Sequence, residues 1–200
     1  MFSGIVEGLE KAKIFKKNAQ SLELTLPAPK GWEIKQGESI NIDGICSTVK
    51  SVSKIDFSVY YMPETIRVTN LKYLKPDHNF NLERSLSLNN LIGGHLVSGH
   101  IDTTAKVESI ELKEQSKVLK FKIEEKFIRY IIYKGSIAVN GVSLTIVSEA
   151  KNYFTVSLIP YTLTHTNLRN LKVGDLVNIE VDLMAKYLEK LLKPWSVKIK

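Results

Sequence analysis

The chain repeats itself, and a sequence that does so over most of its length is confined to folds in which one small unit can be built twice. Ser39-Ile40-Asn41-Ile42-Asp43-Gly44-Ile45-Cys46-Ser47-Thr48 aligns with Ser136-Ile137-Ala138-Val139-Asn140-Gly141-Val142-Ser143-Leu144-Thr145 at an offset of 97. The register continues without a gap, carrying Phe57 onto Phe154, Pro63 onto Pro160, Thr69-Asn70-Leu71 onto Thr166-Asn167-Leu168, and Asn81 and Glu83 onto Asn178 and Glu180. Over this block 17 of 45 positions are identical, far above chance, and the period is too long for a solenoid. Ahead of it the offset slips to 95, where Phe2-Ser3-Gly4-Ile5-Val6-Glu7 matches Val97-Ser98-Gly99-His100-Ile101-Asp102. A loop two residues longer in one copy accounts for the slip.

Within each copy apolar residues alternate with polar ones. Leu22, Leu24 and Leu26 share one strand face, as do Leu119, Phe121 and Ile123. Asp43-Gly44 and Asn140-Gly141 are tight-turn dipeptides between β-branched runs. About six short strands per copy would leave open edges unless the sheet closes, so the expected architecture is all-β: tandem six-stranded antiparallel Greek-key barrels, with a sandwich as the alternative. The expected units are residues 1–94 and 95–182, followed by a helix and tail over 183–200. In the tail Asp182 is a good N-cap, Met184, Tyr187, Leu188, Leu191 and Leu192 follow helical spacing, and Pro194 ends the run. Its apolar face either packs on its own barrel or mediates self-association.

Composition removes several function classes. A hydrophobic content of 44% with 24% charged residues describes an ordinary folded chain, and no apolar run nears the ~20 residues that span a bilayer. Without a signal peptide at its start, and with Cys46 as its single cysteine, the chain is expected in the cytoplasm and not at a membrane. The net charge of +7 would suit a nucleic-acid binder, but the lysines are dispersed and Arg is scarce, so no nucleic-acid partner is expected. No G-x-G-x-x-G, phosphate-binding loop, G-x-S-x-G or C-x-x-C is present.

Two segments carry the chemistry. Gly93-Gly94-His95-Leu96-Val97-Ser98-Gly99-His100 is poor core material, and its glycines permit close approach of a ligand to the backbone. His95 and His100 are separated by five residues, which aims them to opposite faces of an extended strand and argues against a shared metal. Cys46 and Ser143 occupy the same repeat position, each followed two residues later by a threonine, Thr48 or Thr145. Alternation aims each pair at one face, and a position that exchanges Cys for Ser beside a retained Thr fits a polar pocket better than a core. Lys134 stands just before the second of these strands.

These segments, with the opening Met1-Phe2-Ser3-Gly4-Ile5-Val6, Pro63-Glu64-Thr65 and Tyr133-Lys134-Gly135, resemble the riboflavin synthase family in order and over nearly the whole length. The resemblance implies a homotrimer of two-barrel subunits. It implies conversion of two molecules of 6,7-dimethyl-8-ribityllumazine into riboflavin and 5-amino-6-ribitylaminouracil by transfer of a four-carbon unit, without cofactor or metal. Association with lumazine synthase is compatible with it. The duplication itself fits, since two similar barrels offer two similar pockets for two identical molecules. By the resemblance, Gly4, Ile5, Val6, Cys46, Ser47, Thr48, Tyr60, Tyr61, Met62, Pro63, Glu64 and Thr65 line the first-barrel pocket. Gly99, His100, Ile101, Ser143, Leu144, Thr145, Leu158, Ile159, Pro160, Tyr161, Thr162 and Leu163 line the second, with Lys134 near it. His95, Cys46, Ser143, Lys134 and Thr48 are the candidates for proton transfer and nucleophilic assistance. The chain departs from the family pattern at Asn140, where some members carry Asp, at Tyr161 and at Ser47. A non-catalytic antenna protein built on the same double barrel is the competing reading.

Overall fold

The computed structural model describes residues 1–18, 21–113 and 116–193. Pro194, expected to end the tail helix, lies outside the described residues. The first unit is built from β1 (Gly8–Lys11), β2 (Ile14–Lys17), β3 (Leu22–Pro27), β4 (Ser39–Ile42), β5 (Ile45–Val52), β6 (Asp56–Tyr61) and β7 (Asn79–Arg84). The second has β8 (Thr103–Lys113), β9 (Ser116–Lys122), β10 (Ser136–Val139), β11 (Val142–Ala150), β12 (Tyr153–Leu158) and β13 (Leu176–Val181). Short helices α1 (Pro63–Val68) and α2 (Pro160–His165) follow β6 and β12, each opened by a proline whose fixed φ suits a first turn. The tail helix is α3 (Leu183–Leu192).

The second unit is a closed barrel in the order β10-β11-β12-β9-β8-β13. After the β8–β9 hairpin the chain crosses to β10 and meanders back until β12 pairs with β9. It then crosses again to place β13 between β8 and β10, which is a Greek-key path. The first unit has the same order, except that the counterpart of β8 is broken at Ala12–Lys13 into β1 and β2, giving seven segments where six were expected. Both copies bulge at the same repeat position, between Val49 and Ser51 and between Ile146 and Ser148. A bulge bends a strand sharply enough for six strands to curl closed.

The alternation read in the sequence is what fills the barrels. Leu22, Leu24 and Leu26 are fully buried with Ile40, Ile42, Phe57, Phe80 and Leu82 in the first. Leu119, Phe121, Ile137, Phe154 and Ile179 do the same in the second, where Phe121 and Phe154 stack at 5.2 Å.

An asparagine seam, symmetric by the repeat, joins the barrels. Asn81 Nδ2 donates to Asn140 O at 2.9 Å, and its counterpart Asn178 Nδ2 donates to Asp43 O at 2.9 Å. Asn167 N donates to Asn81 Oδ1 at 2.8 Å, and Asn70 N to Asn178 Oδ1 at 2.7 Å. Symmetry breaks at Asp43. His78 Nε2 lies 2.6 Å from Asp43 Oδ2, whereas the repeat partner of His78 is Asp175 and that of Asp43 is the neutral Asn140. The carboxylate of Asp43 is fully buried and therefore needs its counter-charge, while Asn140 needs none. Burial works to lower the His78 pKa, but the charge and hydrogen bond of Asp43, with Asp77 and Asp175, hold it above its ordinary value. A raised histidine pKa stabilises the fold below the unfolded pKa, and the contribution is lost as pH rises through the folded one. His78→Gln is expected to cost about 1–3 kcal/mol in urea unfolding near pH 6, and the cost is expected to shrink as pH rises through the raised histidine pKa. A pH-independent cost would mean that the pair is not ionic.

Candidate active site

The outer faces of β5 and β11 form the centre of the site. Ile45, Ser47 and Val49 point into the first barrel and are buried, which leaves Cys46 half-buried and Thr48 exposed on the outside. Val142, Leu144 and Ile146 do the same in the second barrel, leaving Ser143 and Thr145 outward. Each pair thus shares a face, as the alternation predicts.

The opening segments of the two copies then cross. Phe2 and Val97 form an antiparallel bridge, with Phe2 N donating to Val97 O at 2.8 Å and Val97 N to Phe2 O at 3.0 Å. Beyond the bridge each segment runs onto the other barrel. Ser143 N donates to Gly4 O at 2.8 Å, and Cys46 N donates to Gly99 O at 2.8 Å. Gly4 and Gly99 have φ of +76° and +81°, and a Cβ on either would lie 2.6 Å from the Cβ of Ser143 or Cys46. Val6 packs on the second barrel's core and Ile101 on the first's. The expected grouping is therefore corrected: Gly4-Ile5-Val6 belongs with Ser143, and Gly99-His100-Ile101 with Cys46. Sequence alignment assigns a segment to its own copy, and only the bridge on the pseudo-two-fold axis exchanges them.

His95 completes one pocket only. Its Nδ1 lies 2.7 Å from Ser143 Oγ, and its N–H donates to Ser3 O at 3.1 Å. Gly94 permits this approach, since a Cβ there would fall 2.3 Å from Ser3 O and 2.8 Å from Ser143 Oγ. Burial lowers the His95 pKa, opposed by Asp182 and Glu180, so the imidazole is neutral near pH 7. Its Nε2 is buried and has no hydrogen-bond partner among the described residues. Cys46 packs beside Phe2, Val97 and Ala138 instead. The repeat supplies two equivalent outward positions, and a serine–histidine pair stands at one of them.

Around this centre, Tyr60, Met62, Pro63 and Glu64 are exposed at the end of β6 and on α1, with Thr65 half-buried. The matching Ile159, Pro160 and Tyr161 are exposed, with Thr162 and Leu163 half-buried, and the Tyr161 ring stacks on His165 at 4.0 Å. Four of the expected lining residues face inward. Ser47 Oγ and Tyr61 OH bond to each other at 2.7 Å inside the first barrel, where burial pushes the Tyr61 pKa up, and Leu144 and Leu158 belong to the second core. His100 is exposed, its backbone N–H donating to Ser98 Oγ at 3.2 Å. Lys134 is exposed at φ +65°, with its N–H on Ile146 O at 3.0 Å. Asn140 lies in the seam, 1% exposed, where its Oδ1 accepts from Asn178 N. Its departure from Asp therefore changes the seam and not the pocket.

Two residues that sequence reading did not single out hold the crossing in place. Glu83 Oε1 accepts from Ser3 N at 2.6 Å and Ser3 Oγ at 2.8 Å, and Oε2 accepts from Gly4 N at 3.1 Å. Glu180 Oε1 accepts from Ser98 N at 2.7 Å and Ser98 Oγ at 2.6 Å, and Oε2 from Gly99 N at 2.9 Å. Their identity across the repeat was the available signal.

Comparison with known proteins agrees with the duplicated domain. The lumazine binding domain family matches residues 3–85 and again 98–182. The riboflavin synthase of Bacillus amyloliquefaciens is 42% identical over 96% of this chain and 90% of its own length. That of Escherichia coli is 40% identical over 91% of this chain and 87% of its own. Among solved structures, LumP complexed with riboflavin superposes with a TM-score of 0.84 at 26% identity, covering 90% of this chain and 99% of LumP. LumP complexed with 6,7-dimethyl-8-(1'-D-ribityl) lumazine gives 0.81 at 25%.

Proposed function

Because the chain belongs to the riboflavin synthase family and carries its lumazine binding domain twice, we propose that it converts two molecules of 6,7-dimethyl-8-ribityllumazine into riboflavin and 5-amino-6-ribitylaminouracil. The observation that carries the reading is His95 Nδ1 at 2.7 Å from Ser143 Oγ, in one of two outward pockets that the repeat makes alike. The reaction requires loss of a proton from the acidic 7-methyl group of one lumazine and addition at C7 of the other. Ser143 Oγ takes the methyl proton as its own proton passes to His95 Nδ1, leaving an imidazolium that later returns a proton to product. Thr48, Thr145 and the backbone of Gly4 and Gly99 offer hydroxyls and carbonyls to the ribityl chain and the ring edge. Lys134 and Cys46 remain candidates for assistance at the partner ring. Holding two rings in a reactive pose supplies much of the acceleration. The competing reading, a protein that binds the lumazine or flavin without converting it, draws on the likeness to LumP in complex with these molecules, but identity to the synthases is well above the 26% shared with it.

The assay is incubation with the lumazine alone, following riboflavin by absorbance and fluorescence. One riboflavin per two lumazines supports the reading; a lasting lumazine spectrum overturns it in favour of a carrier.

The assembly proposed is a homotrimer in the cytoplasm, in which pockets of neighbouring subunits face each other. Among the described residues no helix is long and apolar enough to cross a membrane. Support for assembly comes from α3. Its polar side holds its own barrel, through Lys186 to Asp102 at 2.9 Å, Arg129 to Glu189 at 2.8 Å and Tyr130 to Glu189. The opposite stripe, Met184, Tyr187, Leu188 and Leu191, is 52–67% exposed. An exposed apolar stripe of this kind marks an interface. Leu188→Glu with Leu191→Glu is expected to convert the trimer to monomer by light scattering, and an unchanged mass would reassign the stripe.

A further inference from the structure

The two buried glutamates have no part in the proton transfer proposed above, yet their placement is costly. Glu83 is 3% exposed and Glu180 1%, and a buried carboxylate is tolerated only when its oxygens are met by donors. Here the donors are two successive amides and one serine hydroxyl in each case. The glycine that donates its N–H to the carboxylate is the same residue whose carbonyl accepts from the opposite barrel's site strand. Glu83, on β7 of the first barrel, thus reaches Ser143 of the second through a single residue, Gly4. It also fixes Ser3, whose carbonyl receives His95 N–H. Glu180, on β13 of the second barrel, reaches Cys46 of the first through Gly99.

We infer that Glu83 and Glu180 are positioning residues acting crosswise, each carboxylate in one barrel setting the wall and alignment of the pocket on the other. The two pockets are then coupled by construction, since neither barrel can shape its own site without the last strand of its twin. Both glycines sit at positive φ and so close to the opposite strand that an added Cβ would fall 2.6 Å from the Cβ of Ser143 or Cys46, so each peptide is a part of the pocket wall that its carboxylate holds in place. This inference rests on the proposed function for its meaning, but its test needs no substrate.

Cys46 is the single thiol of the chain and reports on the first-barrel pocket. In the full-length protein, Glu180→Gln is expected to raise the rate of Cys46 modification by a maleimide about threefold or more, because Gln retains one acceptor and turns an amide N–H toward Gly99 N. Glu83→Gln leaves that rate unchanged. The mirror experiment places the thiol in the other pocket, with Cys46→Ser and Ser143→Cys together. There Glu83→Gln accelerates labelling and Glu180→Gln does not. Ser3→Ala and Ser98→Ala remove one donor each and give the same crossed pattern more weakly if a glutamate variant fails to fold. Equal acceleration of a thiol by both glutamate variants, or acceleration only by the glutamate of its own barrel, would overturn the inference. In turnover, Glu83→Gln is expected to lower kcat about tenfold with KM within threefold, and Glu83→Asp to restore part of it. A crossed labelling pattern in a protein that makes no riboflavin would leave the positioning role standing and remove the synthase reading instead.

Discussion

Ser143→Ala and His95→Ala are each expected to lower turnover of the lumazine about 10²–10⁴-fold while its dissociation constant stays within a few-fold, the range that loss of a positioned acid–base group gives. The pair acts as one unit, joined at 2.7 Å, so the double variant is expected to be little worse than the poorer single one. Binding survives because the ring and ribityl contacts proposed for the pocket come largely from backbone groups and other hydroxyls, which neither substitution removes. The pH profile carries a further signature. Burial holds the His95 pKa below its ordinary value against the pull of Asp182 and Glu180, so the neutral form that accepts a proton persists into mildly acidic solution. The acid limb of kcat/KM is therefore expected below the ordinary histidine pKa of ~6.5, and it disappears in His95→Ala. Stopped-flow turnover with equilibrium fluorescence titration separates the two effects. Wild-type turnover in both variants would remove the pair from the mechanism, and loss of binding equal to the loss of rate would make them binding residues.

The fold was legible because the information that specifies it is local and was written twice. Leu22, Leu24 and Leu26 alternate, Asp43-Gly44 and Asn140-Gly141 form turns at φ values of +49°, +87°, +45° and +78°, and each feature recurs 97 residues on. The outward aim of Cys46 and Ser143 followed from the same two-residue period. What could not be read was anything set by the pseudo-two-fold axis. Gly4 lies with Ser143 although the chain separates them, because Phe2 bridges to Val97 and sends each opening segment to the other barrel. Ser47 and Tyr61 sit inside the first barrel because the site motifs contain alternating strand residues, and half of any such run faces the core. Glu83 and Asn81 were visible as repeat identities, but identity alone does not say whether a polar residue binds a ligand or ties one domain to another. The seam shows that for Asn70, Asn81, Asn167 and Asn178 it ties the domains, through backbone groups that would otherwise be buried without partners.

At the centre of that seam the two turns meet back to back, and Gly141→Ala is expected to be strongly destabilising. A Cβ at 141 would lie 2.7 Å from Gly44 N, 3.0 Å from Asn41 Oδ1 and 3.1 Å from Gly44 Cα. Two of these are backbone atoms, and they cannot retreat freely because Gly44 N already donates to Asn41 Oδ1 at 2.7 Å. The left-handed φ of +78° adds its own cost for a residue with a Cβ. Together the conformational and overpacking terms amount to about 2–5 kcal/mol, which for a chain of this size lowers Tm by roughly 5–20 °C. Gly31→Ala isolates the first term, because Gly31 has φ of +84° with nothing within 4 Å of its added Cβ. That variant is expected to lose only about 1–2 kcal/mol, and the difference between the two measures the closeness of the hairpins. The same methyl would force apart the strands that begin immediately after each turn, and Cys46 and Ser143 stand two residues beyond Gly44 and Gly141. Activity measured well below the unfolding temperature is therefore expected to fall in Gly141→Ala and not in Gly31→Ala. Equal Tm values for the two variants in calorimetry would mean that the barrels can separate at the axis without penalty, and the shared pocket walls would then have to be held by the crossing segments alone.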